Sequence, residues 1–244
     1  IMSEHLIIKQ DGRLLRIQFN RPEDNGVSDS MAAALSKAVM SAHETSDAVV
    51  LSSTGPDFCT GRVRDAAHPP SPEAYTRRAE YDSIFNSYKA LRACQVPVIG
   101  VLKGRVMGYG TAVASLCDVS FASDQATFNI PEIAHNVMPT MVMSALYDRM
   151  NRNAILWMAY SADFIDAHRA LSFGIVNQVV AHEQVDHEVE RFCELLLSRP
   201  RPAILGLKEY LRVAPKMDEQ GAIDYARSLH SMVNTAAEMK KKAH

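Results

Sequence analysis

The chain has 244 residues, a hydrophobic fraction of 47% and a formal net charge of −2. That length can bury a large core and suits one domain of roughly 200 residues with a helical appendage. The charge balance excludes the basic footprint of a nucleic-acid binder, and no apolar run approaches the about 18 residues that mark a membrane span. Four cysteines (Cys59, Cys94, Cys117 and Cys193) are scattered without a CxxC pair. They suggest neither a disulfide framework nor a metal site and fit a reduced, cytoplasmic setting. No basic segment followed by an apolar stretch opens the chain, so no secretory leader is expected.

In chain order, His5–Gln10 and Leu14–Asn20 are strand-like, with the hairpin signal Asp11-Gly12 between them. Ser30–His43 carries apolar residues at helical spacing, with Ser28 or Asp29 as a candidate cap. Ala48–Ser52 reads as a short buried strand. Strand, helix, strand suggests parallel crossover units. The Pro-rich segment His68–Pro72 reads as a loop before a helix running from Glu73 to about Ala93. Val96–Leu102 and Val119–Ala122 are further buried strands, flanking a small-residue helix over Thr111–Leu116. From Met141 the pattern is mainly helical, over 141–150, 151–161, 166–173, 183–198, 202–214 and 218–239, interrupted by a strand at Val176–Val180. The transition near Arg199–Pro202 suggests a core over 1–200 and a helical region over 201–244.

The segment between Val96 and Glu132 carries the chemistry. A strand runs into a turn with Gly104, Gly108 and Gly110, and a helix follows. Glycines at such a junction let backbone N–H groups face a ligand without side chains in the way. Glu132, just after Pro131, is a lone carboxylate beyond that turn. In an apolar neighbourhood it would be partly desolvated, with its pKa raised toward values useful for moving protons. These features predict an oxyanion site beside one acid/base. His135, three residues on, could face the same pocket or be a polar loop residue. Tyr75, Tyr81 and Tyr88 read as packing or pocket lining rather than chemistry.

Five elements, in order, resemble the crotonase (enoyl-CoA hydratase/isomerase) superfamily. Asn20-Arg21-Pro22 with Asn25 resembles the opening N-R-P…N. Gly55–Gly61, GPDFCTG, resembles the G-x-x-F-C/S-A-G element. PVIGVLKGRVMGYGTAVASLCDVSFA resembles the strand–glycine-turn–helix–CD pattern, and Phe128–Glu132 the F-x-x-P-E element. Ala167–Val180 resembles the A-x-x-A-x-x-x-G-L-V-x-x-V signature. The resemblance implies an α/β spiral core of repeated ββα turns. It also implies a C-terminal helical region that packs subunits into homotrimers or hexamers.

It further implies an acyl-CoA thioester substrate, with coenzyme A entering as part of that substrate and no separate cofactor or metal. The oxyanion donors map to the backbone N–H groups of Arg62 and Tyr109, and the acid/base to Glu132. Adenine and pantetheine contacts map to Asn25–Val27 and Cys59–Gly61, with Gly108 and Gly110 shaping the turn. Arg21, Arg62 and Arg64 could approach phosphates, and Lys208 and Lys240–Lys242 could reach a neighbouring subunit's CoA. One departure bears on the reaction. The second glutamate of true hydratases, one turn into the helix, is matched here by Ala112. A methyl group cannot orient water, whereas one carboxylate suffices for a 1,3-proton shift. The expectation is therefore double-bond isomerisation with Glu132 as the single acid/base. Hydration, thioester hydrolysis, decarboxylation and acyl-CoA binding without turnover stand as alternatives.

Overall fold

In the computed structural model, residues 5–63 and 69–240 are described. The expected hairpin forms from β1 (Leu6–Asp11) and β2 (Leu14–Phe19), antiparallel about a turn at Gly12, φ +56°. Next come α1 (Asp29–Ser41), β3 (Ala48–Ser53), α2 (Ala74–Ala79), α3 (Asp82–Ala93), β4 (Val98–Leu102) and β5 (Arg105–Met107). The middle of the chain adds α4 (Tyr109–Leu116), β6 (Val119–Ser123), β7 (Thr127–Asn129), α5 (Thr140–Leu146) and α6 (Arg152–Ser161). It closes with β8 (Ile165–Asp166), α7 (Ala167–Ser172), β9 (Gln178–Val180), α8 (Val185–Leu197), α9 (Arg201–Val213) and α10 (Glu219–Thr235).

The main sheet has the order β1-β2-β3-β4-β6-β9, parallel after the first hairpin. Crossovers between parallel strands need intervening chain, which α1, α3, α4 and α7 supply. The α1 helix is capped by Ser28, whose hydroxyl accepts from the Met31 N–H, and it packs on α3. On one side of the sheet lies the larger core, with Ile17, Phe19, Leu35, Leu51 and Leu102 shielded from solvent. On the other, α8 covers Val50, Ile99, Val101 and Phe121.

Two features depart from the sequence reading. The helix expected from Glu73 to about Ala93 breaks at Glu80–Tyr81 into α2 and α3. The break frees the Glu80 carbonyl, which accepts from the Arg62 guanidinium at 3.1 Å, while the Glu80 side chain accepts from the Ser71 N–H at 2.9 Å. A second sheet, β5-β7-β8, was also not anticipated. Its strands are only two or three residues long, and β5 lies between Gly104 and Gly108, so it reads as a turn.

Lys208, read from sequence as able to reach a neighbouring subunit's CoA, is instead turned inward. Its amine donates to the Val96 carbonyl and to Asp118 Oδ2, both at 2.6 Å. Asp118 also accepts from the Val98 N–H at 2.7 Å. The pair therefore pins α9 to the entrance of β4. Lys208→Met leaves a largely shielded carboxylate without its cation. We expect a loss of about 2–3 kcal/mol, read as a fall in Tm of roughly 5–10 °C. An unchanged Tm would show that the anchor contributes nothing.

Candidate active site

The first wall of the site is the loop after β3. Phe58 and Cys59 are fully buried. The Cys59 N–H donates to the Arg105 carbonyl at 3.2 Å, and its carbonyl accepts from the Met107 N–H at 2.8 Å, so the loop pairs with β5. Asp57 ties the same junction, accepting from the Arg105 N–H at 2.8 Å and from its guanidinium at 2.7 Å. Burial pushes the Asp57 carboxyl up, but the bonds from Arg105 outweigh it and hold the carboxyl below its usual value.

Beyond Cys59 the chain turns at Gly61, φ +122°. Val27 and Arg62 then form a parallel bridge. The Val27 N–H donates to the Gly61 carbonyl at 2.8 Å, and the Val63 N–H donates to the Val27 carbonyl at 2.9 Å. In a parallel bridge the residue flanked by those two bonds turns its own N–H away from the partner strand. The Arg62 N–H thus faces away from Val27, on a residue that lines the cavity, and donates to no described group.

The Arg62 side chain takes a different direction. Its guanidinium pairs with Asp29 at the start of α1 at 2.9 Å, bonds the Glu80 carbonyl and lies 5.7 Å from the centre of the Tyr81 ring. Its bulk is absorbed over α1 and the α2–α3 junction, and it is not a free phosphate ligand. Arg21 is likewise engaged, donating to the Gly26 carbonyl at 2.9 Å. Arg64 and His68 lie outside the described residues.

The second wall is the β5–α4 turn. Gly108 has φ +50°, and a Cβ there would stand 2.8 Å from Glu132 Oε1 and 3.9 Å from the Gly61 Cα. Both turns and the carboxylate therefore meet at this one point. A Cβ on Gly110 would lie 2.5 Å from the Cys59 carbonyl oxygen, so this glycine lets α4 close against the first wall. Tyr109 opens α4, and its N–H has no acceptor within the helix and donates to no described group. It sits at the positive end of the helix dipole.

Glu132 begins a 3-10 turn, Glu132–His135, ended by Asn136 in the left-handed conformation. Its Oε2 is buried without a hydrogen-bond partner among the described residues. Burial raises its pKa above the ordinary 4.5, partly offset by its own backbone N–H and by nearby His135. Gly61, Arg62, Gly108, Tyr109, Glu132 and His135 all line one cavity of about 510 Å³. Its remaining wall is largely apolar, including Ile84, Met107, Met138, Met141 and Val142. Glu132 is the only carboxylate among the described lining residues.

Asn25, Val27, Cys59 and Gly110 stand behind the lining. Asn25, φ +48° and fully buried, clips its loop: its side chain accepts from the Arg21 N–H and donates to the Thr54 and Asp57 carbonyls. Burial pushes the Cys59 thiol up to about 12, so it stays protonated. Ala112 is fully buried in α4 and does not line the cavity. Tyr88, read from sequence as packing or lining, is in the cavity wall. Its i, i+4 spacing from the apolar Ile84 was the available signal.

Two backbone N–H groups without an acceptor among the described residues, on residues that line the cavity, and one desolvated carboxylate are suited to holding an oxyanion while a proton moves. The chain belongs to the enoyl-CoA hydratase/isomerase family, whose model matches residues 9–244. An enoyl-CoA hydratase from Mycobacterium smegmatis superposes with a TM-score of 0.89 at 25% identity, covering 96% of this chain and 93% of that one. The crotonase-like α/β core with a helical C-terminal region is thus the fold of this chain. Carnitinyl-CoA dehydratase of Salmonella arizonae is 26% identical over 233 residues, which is 93% of this chain and 87% of the relative. Enoyl-CoA hydratase domain-containing protein 3 of Rattus norvegicus, a mitochondrial protein, is 23% identical over 212 residues, 85% of this chain and 70% of its own.

Proposed function

We propose that this family member isomerises the double bond of an enoyl-CoA thioester. The substrate is a 3-enoyl thioester, with CoA carried as part of it and no separate cofactor. The N–H groups of Arg62 and Tyr109 donate to the thioester oxygen. Glu132 removes a proton from C2, and negative charge spreads onto that oxygen as the dienolate forms. The same carboxyl then returns the proton at C4, leaving the double bond conjugated. Each lost oxyanion donor typically raises such a barrier by about 2.7–4 kcal/mol.

The observation that carries this reading is that Glu132 is the one carboxylate among the described lining residues; the family resemblance puts Ala112 where hydratases hold a second. Hydration needs a group to orient water as well as an acid to deliver a proton, and a single carboxylate serves the proton shift alone. The test is product analysis. A 3-enoyl-CoA should give its 2-enoyl isomer with no change in mass. Gain of water by a 2-enoyl-CoA would overturn the assignment in favour of hydration.

The same reading includes self-assembly into a homotrimer or hexamer. Support comes from Leu207 and Leu211 on α9 and Met232 on α10, each more than two-thirds exposed. Light scattering should give the mass of a trimer or hexamer. A monomer at working concentration would contradict it.

A further inference from the structure

One polar group in the cavity has no task in the proton shift. Tyr88 lies on α3, one turn after Ile84, and both line the cavity. The residue is 3% exposed, yet its hydroxyl bonds to no described residue. Its ring stacks on that of Tyr109, centres 5.4 Å apart and planes inclined by 25°. The Tyr109 hydroxyl is itself fixed by Ser87 at 2.8 Å. Tyr109 therefore serves twice: its backbone opens α4 and its ring braces Tyr88. Burial raises the Tyr88 phenol well above its usual pKa, and the nearby Glu132 carboxylate adds to that while Arg62 opposes it. The group stays protonated and can donate.

A hydrocarbon chain filling this cavity would strip the Tyr88 hydroxyl of water and give it no partner. Leaving a buried donor unpaired costs about 1–3 kcal/mol. An acyl group carrying an oxygen acceptor removes that cost. Sites built around such a hydrogen bond discriminate strongly against analogues that lack it. We propose that Tyr88 is a specificity-determining residue, donating to a carbonyl or hydroxyl oxygen on the acyl group, so that the substrates are oxygen-bearing acyl thioesters rather than plain hydrocarbon ones. This rests on the reading that an acyl thioester occupies the cavity, though not on which reaction follows.

The test is calorimetric binding of unreactive saturated thioesters: hexanoyl-CoA, 4-oxohexanoyl-CoA and 5-oxohexanoyl-CoA. Tyr88→Phe keeps the ring and its stacking. Wild type should bind at least one oxo compound about 10-fold more tightly than hexanoyl-CoA, the value of one hydrogen bond near the top of the neutral range. In Tyr88→Phe that preference should vanish while hexanoyl-CoA binds as well or better. Equal binding of all three by wild type, or a preference that survives in Tyr88→Phe, would overturn this inference and leave the acyl-thioester reading standing. No binding of any of the three would overturn both.

Discussion

Glu132→Gln is expected to lower turnover by about 10²- to 10⁴-fold, the usual share of a positioned acid/base, while CoA-thioester affinity stays within a few-fold. The amide keeps the shape of the side chain against Gly108 but cannot accept the C2 proton. Stability should move the other way. A carboxyl whose pKa is raised in the folded state binds protons more tightly there than in the unfolded chain. Its stabilising contribution is therefore complete below the unfolded value, near 4.5, and is lost as pH rises through the folded one. At neutral pH the ionised Glu132 costs stability, because its Oε2 is buried without a partner among the described residues. A neutral amide costs less to bury than a carboxylate. The variant should thus melt at a higher temperature than wild type at neutral pH, with the gap closing as pH falls toward 4.5. In wild type, kcat/KM should decline with falling pH at a pKa above the ordinary carboxyl value. Undiminished turnover in Glu132→Gln would remove this residue from the chemistry.

Gly108→Ala should cost about 10²- to 10³-fold in turnover, comparable to losing an oxyanion donor. Two effects combine at this position. The backbone has φ +50° and ψ −110°, outside the left-handed helical region and readily entered only by glycine, so alanine there is strained by about 1–3 kcal/mol. The new methyl would also lie 2.8 Å from Glu132 Oε1. Either the carboxylate or the turn must shift, and the turn carries the Tyr109 N–H. Positioning errors of about an ångström are enough to cost two orders of magnitude. Gly12→Ala separates strain from placement. Gly12 has a similar φ of +56°, but nothing lies within 4 Å of a Cβ there, and it sits in the β1–β2 turn. It should lose some stability and keep full activity. Equal activity losses in the two variants would mean that backbone strain, not the placement of Glu132 and Tyr109, explains the Gly108 effect.

The parts of this fold that could be read from sequence are those where local chemistry points one way. β4, α4 and β6 follow from apolar runs separated by glycines and a small-residue stretch. The α1 cap follows from Ser28. Glu132 stood out as a carboxylate after proline with apolar residues about it. What escaped was set by contacts between distant segments. That Gly61 and Gly108 would come to the same wall of the cavity could not be read from either turn alone, because the approach depends on Cys59 pairing with β5. β5, β7 and β8 are too short to show alternation. The outward path of the Arg62 side chain depends on Asp29 and on a break at Glu80 that helical periodicity hid. Tyr88 read as packing or pocket lining because its ring does pack, and only the stacking on Tyr109 and the cavity beside it show a hydroxyl without a partner among the described residues.

The most direct measurement is NMR and mass analysis of the product formed from a 3-enoyl-CoA in D2O. The account predicts migration of the double bond into conjugation, deuterium at C4 or C2, no mass gain from water, and loss of both changes in Glu132→Gln. A 3-hydroxyacyl-CoA formed from the matching 2-enoyl-CoA, with no migration from the 3-enoyl substrate, would contradict it.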